Sequence, residues 1–195
     1  MYYFTQQGKY ELQNDTTGFG IIVVKGRRSL LFYLKLFFMK ANIGISQKNL
    51  VSVNKLLTSV LADAVLLYTK TRKFHWNVAG NSFMELHKLF EEQYKKLEEA
   101  IDEIAERINK LGFKTPGTMA EFLEVASLKE SPAKYPAQSE MLKELLNDHE
   151  KVIIFLRKGI DDCDEKYSDK GSADFLTGLM LEHETLAWTL RRYLS

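Results

Sequence analysis

The placement of proline constrains this chain more than any other feature. All three prolines, Pro116, Pro132 and Pro136, fall between residues 112 and 138. Inside a helix proline removes a hydrogen bond and clashes with the preceding turn, so the stretches outside that window are free of the strongest helix breaker. Four of those stretches carry apolar residues at helical spacing. The first spans about 47–78, with Leu57, Leu61, Ala64, Tyr68, Thr71 and Phe74 in phase. The second runs from Ser82 to Gly112 on Phe90, Tyr94, Leu97, Ile101, Ile104 and Ile108. The third covers about 139–166 on Leu142, Leu146, Ile153, Leu156 and Ile160, and the fourth covers 172–194 on Leu176, Leu179, Leu186 and Leu190. Each apolar stripe needs a partner to bury against, which predicts an all-α four-helix bundle.

Connection lengths set the expected topology. Ala79-Gly80-Asn81 is a tight turn between the first two helices, and a short polar turn at 168–171 joins the last two. Between the second and third helices lie about 25 residues, enough to travel the length of a bundle. Two hairpins joined by one long crossover resemble the ferritin-like arrangement. Thr118 with Glu121 is a capping-box pattern, which predicts a short extra helix within the crossover, and Ser82 with Glu85 is a second such pattern at the start of helix two.

Residues 39–195 are therefore read as the bundle domain. Residues 1–38 differ in character: Gly18-Phe19-Gly20, a short strand-like run at Ile21–Val24, a basic cluster, then an apolar run from Leu30 to Met39. That run is roughly half the length needed to span a bilayer. Its basic flank is signal-like, but a small-residue cleavage site is missing, so no membrane or export role is expected. Met39-Lys40-Ala41 reads as a natural start, and residues 1–38 are assigned as an N-terminal extension of unknown role. The single cysteine, Cys163, excludes an internal disulfide and fits a reducing, cytoplasmic setting.

Candidate chemistry lies on one flank of helix two. On a helical wheel begun at Phe83, the apolar stripe covers about −80° to +20°, with His87 near 40°, Glu91 near 80°, Asp102 near 100° and Glu106 near 140°. His87 with Glu91, and Asp102 with Glu106, are i,i+4 pairs whose side chains can converge on one metal. His75, just across the tight turn, can join the first pair. Carboxylates on a helix flank are most often solvated surface, and a histidine beside a tryptophan is most often packed. The conjunction of two histidines and three acids favours a metal, and mixed nitrogen and oxygen donors suit iron or zinc better than calcium or magnesium. The two clusters lie about 22 Å apart along the helix, too far to bind one metal within one chain. They meet if helix two packs antiparallel against its symmetry mate about a two-fold axis near residue 97, giving two identical sites per dimer.

Other residues carry weaker signals. His149 and His183 are in phase with the core and lack the Glu-x-x-His pattern of a bundle-core di-iron site, so they read as buried, hydrogen-bonded histidines. Trp76 packs at a helix end or, beside an oxidising metal, donates electrons or traps radicals. Asp161, Asp162, Asp164, Asp169 and Asp174 read as a solvated acidic loop, with a cation-concentrating funnel as the alternative. Cys163 reads as core. The net charge of +1, with about −2 of charge after residue 38, gives no electrostatic grip on DNA.

The runs Lys73-Phe-His75-Trp76-Asn-Val, Phe83-Met-Glu-Leu-His87-Lys-Leu-Phe-Glu91-Glu-Gln-Tyr94, Ile101-Asp102-Glu-Ile-Ala-Glu106-Arg107 and Glu182-His-Glu-Thr-Leu-Ala-Trp188 together resemble the Dps mini-ferritins, the DNA-protection proteins of starved cells. The similarity covers residues 45–195. It implies a twelve-subunit shell with a ferroxidase site at each two-fold interface, His75, His87 and Glu91 from one chain and Asp102 and Glu106 from its mate. It also implies iron as the metal, oxidised by hydrogen peroxide in preference to dioxygen and stored as ferric mineral. Some members carry Asp where Glu91 stands. Members that bind DNA carry lysine-rich arms, whereas Lys40, Lys48 and Lys55 are sparse here, so a DNA-compacting nucleoid protein is the alternative reading. A bacterioferritin-like enzyme with a site inside each subunit is a third.

Overall fold

The computed structural model describes residues 41–195, together with the backbone of residues 4–5, 8–14, 20–24 and 34–35. Residues 1–40 and 41–195 form two compact units. In the first, four short antiparallel strands pair in chain order: β1 (Phe4–Thr5), β2 (Gly8–Asn14), β3 (Gly20–Val24) and β4 (Leu34–Lys35). The strand-like run at Ile21–Val24 falls in β3, opposite Tyr10 to Gln13 of β2. The apolar run Leu30–Met39 and the Gly18-Phe19 pair lie outside the described residues, apart from the backbone of Leu34 and Lys35.

Residues 41–195 are all-α, as the periodicity predicts. The helices are α1 (Gln47–Asn77), α2 (Phe83–Lys110), α3 (Met119–Val125), α4 (Gln138–Asp161) and α5 (Lys170–Leu194), α4 running on through a π-helical turn at Asp162–Lys166. The α1–α2 and α4–α5 hairpins pack together, and α3 rides on α1 within the long crossover. This is the ferritin-like four-helix bundle. Helix α1 is long and apolar enough to cross a membrane, but most of that apolar stretch is buried inside the bundle.

Local chemistry explains the helix ends. Ser46 caps α1 by accepting from the Asn49 N–H at 3.2 Å. Thr118 and Glu121 form a true capping box, Thr118 Oγ1 accepting from the Glu121 N–H and Glu121 Oε2 accepting from the Thr118 N–H. The Thr118 hydroxyl, then the Gly117 and Thr118 amides, hold the Glu121 carboxyl below its usual range. The box expected at Ser82 does not form. Its ψ of 31° has left the extended region a capping residue needs, and its hydroxyl makes no capping bond. At the far end of α2, Gly112 adopts φ +87°, and a Cβ there would meet the Ala41 Cβ at 3.1 Å. Glycine alone meets both demands easily.

The core is wider than one stripe per helix. Every residue of α1 from Val60 to Leu67 is buried, in a helix that packs against α2, α3 and α4. Asp63 lies within it, 1% exposed. Its carboxylate accepts from the Ser127 N–H, the Ser127 hydroxyl and the Leu128 N–H at 2.6–2.9 Å. A buried carboxylate survives only when so satisfied, and here it pins the crossover to the middle of α1. A second polar lock joins α1 to α4: Lys70 Nζ lies 2.5 Å from Asp148 and 2.9 Å from Glu144. Burial alone would lower the Lys70 pKa, but hydrogen bonds to Asp148 and Glu144 outweigh it and leave it raised.

The acidic run near the last turn is not uniformly solvated. Asp169 is buried, caps α5 by accepting from the Ser172 N–H at 2.9 Å, and pairs with Arg107 of α2 at 3.0 Å. Asp161, Asp164 and Asp174 remain exposed. Cys163 is sealed in the core, where burial, then Asp169 and Asp162, push its thiol up to about 12. Such a thiol carries almost no thiolate at neutral pH and is unreactive.

Candidate metal centre

The tight turn after α1 folds His75, near the end of α1, against His87, in the second turn of α2. The two imidazoles stack with ring centroids 3.8 Å apart and planes 23° apart. Each ring also faces the other residue's backbone: His75 Nδ1 lies 2.8 Å from the His87 carbonyl oxygen, and His87 Nδ1 lies 2.9 Å from that of His75. A carbonyl oxygen can only accept, so each Nδ1 carries the proton and donates it. Each Nε2 is then left with a lone pair, the form in which imidazole binds a metal. The reciprocal bonds also hold both rings in place, as the outer partners of ligating histidines do.

Aromatic residues flank the stack. Phe83 lies 5.1 Å from the His87 ring, and Tyr94 meets the His75 ring edge-on at 5.3 Å. The Arg72 guanidinium lies 4.7 Å from the Tyr94 ring centre and 5.5 Å from that of Trp76, and it donates a hydrogen bond to the Tyr68 hydroxyl. Trp76 is 66% exposed, so it does not pack into the bundle end. Sequence reasoning missed Arg72. Its i,i+4 spacing to Tyr68 and Trp76 was the available signal.

Glu91 is half-buried beside this pair. Lys95 holds it at 2.5 Å, and that hydrogen bond, then the Lys95 charge, keep its carboxyl below the usual range. A metal at the histidines would compete with Lys95 for Glu91. Asp102 and Glu106 sit toward the other end of α2. Both are exposed, and Glu106 pairs with Lys110 at 2.9 Å. Among the described residues, no three His, Cys, Asp or Glu side chains of one chain come together to hold a metal. The fold thus brings His75, His87 and Glu91 side by side and leaves Asp102 and Glu106 about 22 Å away.

The other two histidines lie in the bundle core. His149 of α4 and His183 of α5 are buried and bonded to each other, Nδ1 to Nδ1 at 2.9 Å. Asp148, next to His149, is taken up by Lys70.

The ferritin-like domain family matches residues 54–195. Over 156 residues the chain is 46% identical to an uncharacterised low temperature-induced protein of Nostoc sp., covering 80% of this chain and 87% of the relative. Over 143 residues it is 38% identical to DNA protection during starvation protein 2 of Bacillus anthracis, covering 73% of this chain and 97% of the relative. A crystal structure of the Dps protein of Vibrio cholerae O1, described as a member of a broad superfamily of ferritin-like diiron-carboxylate proteins, superposes with a TM-score of 0.75 at 28% identity. That likeness covers 80% of this chain and 97% of the other.

Proposed function

This chain belongs to the Dps branch of the ferritin-like family, and from that premise we propose that it oxidises Fe(II) at di-iron sites shared between two chains and stores the ferric product inside a homo-oligomeric shell. Iron storage and DNA protection are the general business of that family. The finer reading concerns where and how this chain performs them.

One observation carries it. The histidine pair presents two Nε2 lone pairs at one end of α2, while two exposed carboxylates stand about 22 Å away on the same helix, unable to reach them. His87 and Glu106 are equidistant from a point between Lys96 and Leu97, and so are Glu91 and Asp102. An antiparallel pair of α2 helices crossing there sets His87 of one chain opposite Glu106 of the other, and Glu91 opposite Asp102. Two half-sites become two whole ones.

The donor set suits iron as a substrate that changes charge. Neutral imidazoles admit Fe(II), and carboxylates stabilise the harder Fe(III) that forms. In the proposed reaction two Fe(II) each lose one electron. One hydrogen peroxide takes both, its O–O bond breaking to give two hydroxides that enter the ferric oxyhydroxide. Taking the electrons as a pair avoids the hydroxyl radical that single-electron transfer to peroxide releases. Trp76, exposed beside His75, is placed to give up an electron when only one equivalent is available. DNA is protected here by removal of Fe(II) and peroxide together, with no need of compaction. A dodecameric shell and a cytoplasmic location complete the proposal.

The test is the double variant Asp102→Ala, Glu106→Ala. Both side chains are exposed on the single chain, so the variant folds, and in its intact oligomer peroxide-dependent iron oxidation is abolished. Full activity in an intact oligomer overturns the assignment.

A further inference from the structure

Two of the four histidines have no part in the iron site. His149 and His183 are 0% and 4% exposed, their ring centroids 5.1 Å apart, joined Nδ1 to Nδ1 at 2.9 Å. A hydrogen bond between two such nitrogens needs one proton, not two and not none. One ring donates Nδ1–H, and the other accepts at a bare Nδ1 and carries its own proton on Nε2. The Nε2 of His149 is sealed from solvent and has no partner. An unpaired lone pair there is tolerated better than an unpaired N–H, so His149 is the Nδ1 donor and His183 the acceptor.

We propose that this pair is an acid-sensitive latch between α4 and α5: one shared proton joins the rings, and a second forces them apart. There is no good place for a second proton. On His149 Nε2 it creates a sealed cation without a partner. On His183 Nδ1 it sets two N–H groups head to head and breaks the bond. Either way the two helices are pressed to separate until water reaches the charged ring.

The surroundings do not relieve that charge. Desolvation pushes His183 down to about 4, and desolvation together with the facing His183 ring holds His149 well below the ordinary range. The charged groups on the packed elements are committed elsewhere. On α4, Asp148 pairs with Lys70 of α1 and Lys151, Glu150 accepts from Arg191 of α5, and Arg157 pairs with Glu184 of α5. Half-buried Glu182 of α5 is raised by its own burial and interacts with Lys96, Glu99 and Glu103 of α2. From α2, Gln93 brings only a neutral amide, which donates to the Leu186 carbonyl. Among the described residues, the imidazole pair is the one buried side-chain hydrogen bond from α4 to α5; the other side-chain hydrogen bonds between them are surface ion pairs.

Deuterium exchange at the imidazole C2–H, read per histidine by mass spectrometry on the full chain, follows each ring from pH 8 to pH 3.5. Backbone amide exchange in the same samples reports the opening of α4 and α5. The latch predicts that His149 and His183 stay neutral through pH 5.5. Below that, amides of α4 and α5 near the pair exchange about tenfold faster than those around Asp63 of α1, after correction for intrinsic rates. In the variant His149→Leu, His183→Leu this acid-induced excess disappears. A ring titrating at its ordinary value overturns the proposal in the wild-type protein alone, whether or not the variant folds. An unchanged acid-induced excess in the variant also overturns it.

Discussion

The two histidine pairs of this protein use the same side chain to opposite ends, and the partner at Nδ1 makes the difference. His75 and His87 each give Nδ1–H to a backbone carbonyl. A carbonyl cannot return the favour, so both rings are forced into one tautomer with both Nε2 lone pairs free. His149 and His183 give their Nδ1 atoms to each other. Imidazole can donate or accept, so one proton serves both rings, and the core seals what remains. Stacked against carbonyls beside the tight turn, two histidines keep the free Nε2 lone pairs that the proposed iron site needs. Facing each other between two buried helices, they become a polar tie. Residue type does not separate these outcomes; position relative to the backbone does.

The comparison breaks most visibly if the outer pair proves structural. Replacing both His75 and His87 with alanine should lower peroxide-dependent iron oxidation about a thousandfold, since loss of an outer-shell partner alone costs 10–100-fold. Stopped-flow absorbance of ferric product checks this, and the melting temperature should move by only a few degrees, because both rings are half-buried at the bundle end. A large stability loss with iron oxidation intact would place the outer pair with the inner one.

The inner pair predicts a dependence on acid. With its folded pKa depressed to about 4, His183 binds a proton in the unfolded chain before the folded one. Its contribution to stability is therefore complete above about pH 6.5 and lost as pH falls toward about 4. The loss amounts to roughly 3 kcal/mol, from about 1.4 kcal/mol per pKa unit. Urea midpoints of the wild type and His183→Leu across that range should converge as pH falls. The iron-oxidation rate of the folded variant at pH 7 should match wild type within about twofold.

The smallest effect sharpens the outer site. Lys95 holds Glu91 in a solvent-screened pair, and such pairs add little to stability. Lys95→Ala should leave stability nearly unchanged and free Glu91, raising Fe(II) affinity a few-fold in anaerobic titration. No change would mean that Glu91 stays outside the donor set.

What the sequence made legible was periodic. Proline placement and the 3.6-residue stripes foretold the four helices and the crossover, and the flank of α2 marked out His87, Glu91, Asp102 and Glu106 as the candidates on which the proposed site rests. What it hid was non-periodic or carried by the backbone. Asp63 and Lys70 sit on a face that hydrophobic patterning would leave to water, yet distant crossover amides and α4 carboxylates satisfy them. Asp169 was indistinguishable from its exposed acidic neighbours until Arg107 and the start of α5 closed around it. Ser82 satisfied the capping-box pattern but not its backbone angle. The carbonyl lock on His75 and His87 has no sequence signal, because its acceptors belong to every residue alike.

The claim that each iron site is built by two chains has a direct test in mixed assemblies. One variant carries His75→Ala and His87→Ala, the other Asp102→Ala and Glu106→Ala, and each alone should be inactive. In a mixed pair one site loses both histidines, Asp102 and Glu106, while the other keeps the histidines of one chain and the carboxylates of its mate. Dissociating and reassembling the two in equal amounts should therefore restore about one quarter of wild-type iron oxidation, since half the pairs are mixed and each regains one of two sites. No recovery in assemblies proven to be mixed would contradict the shared site.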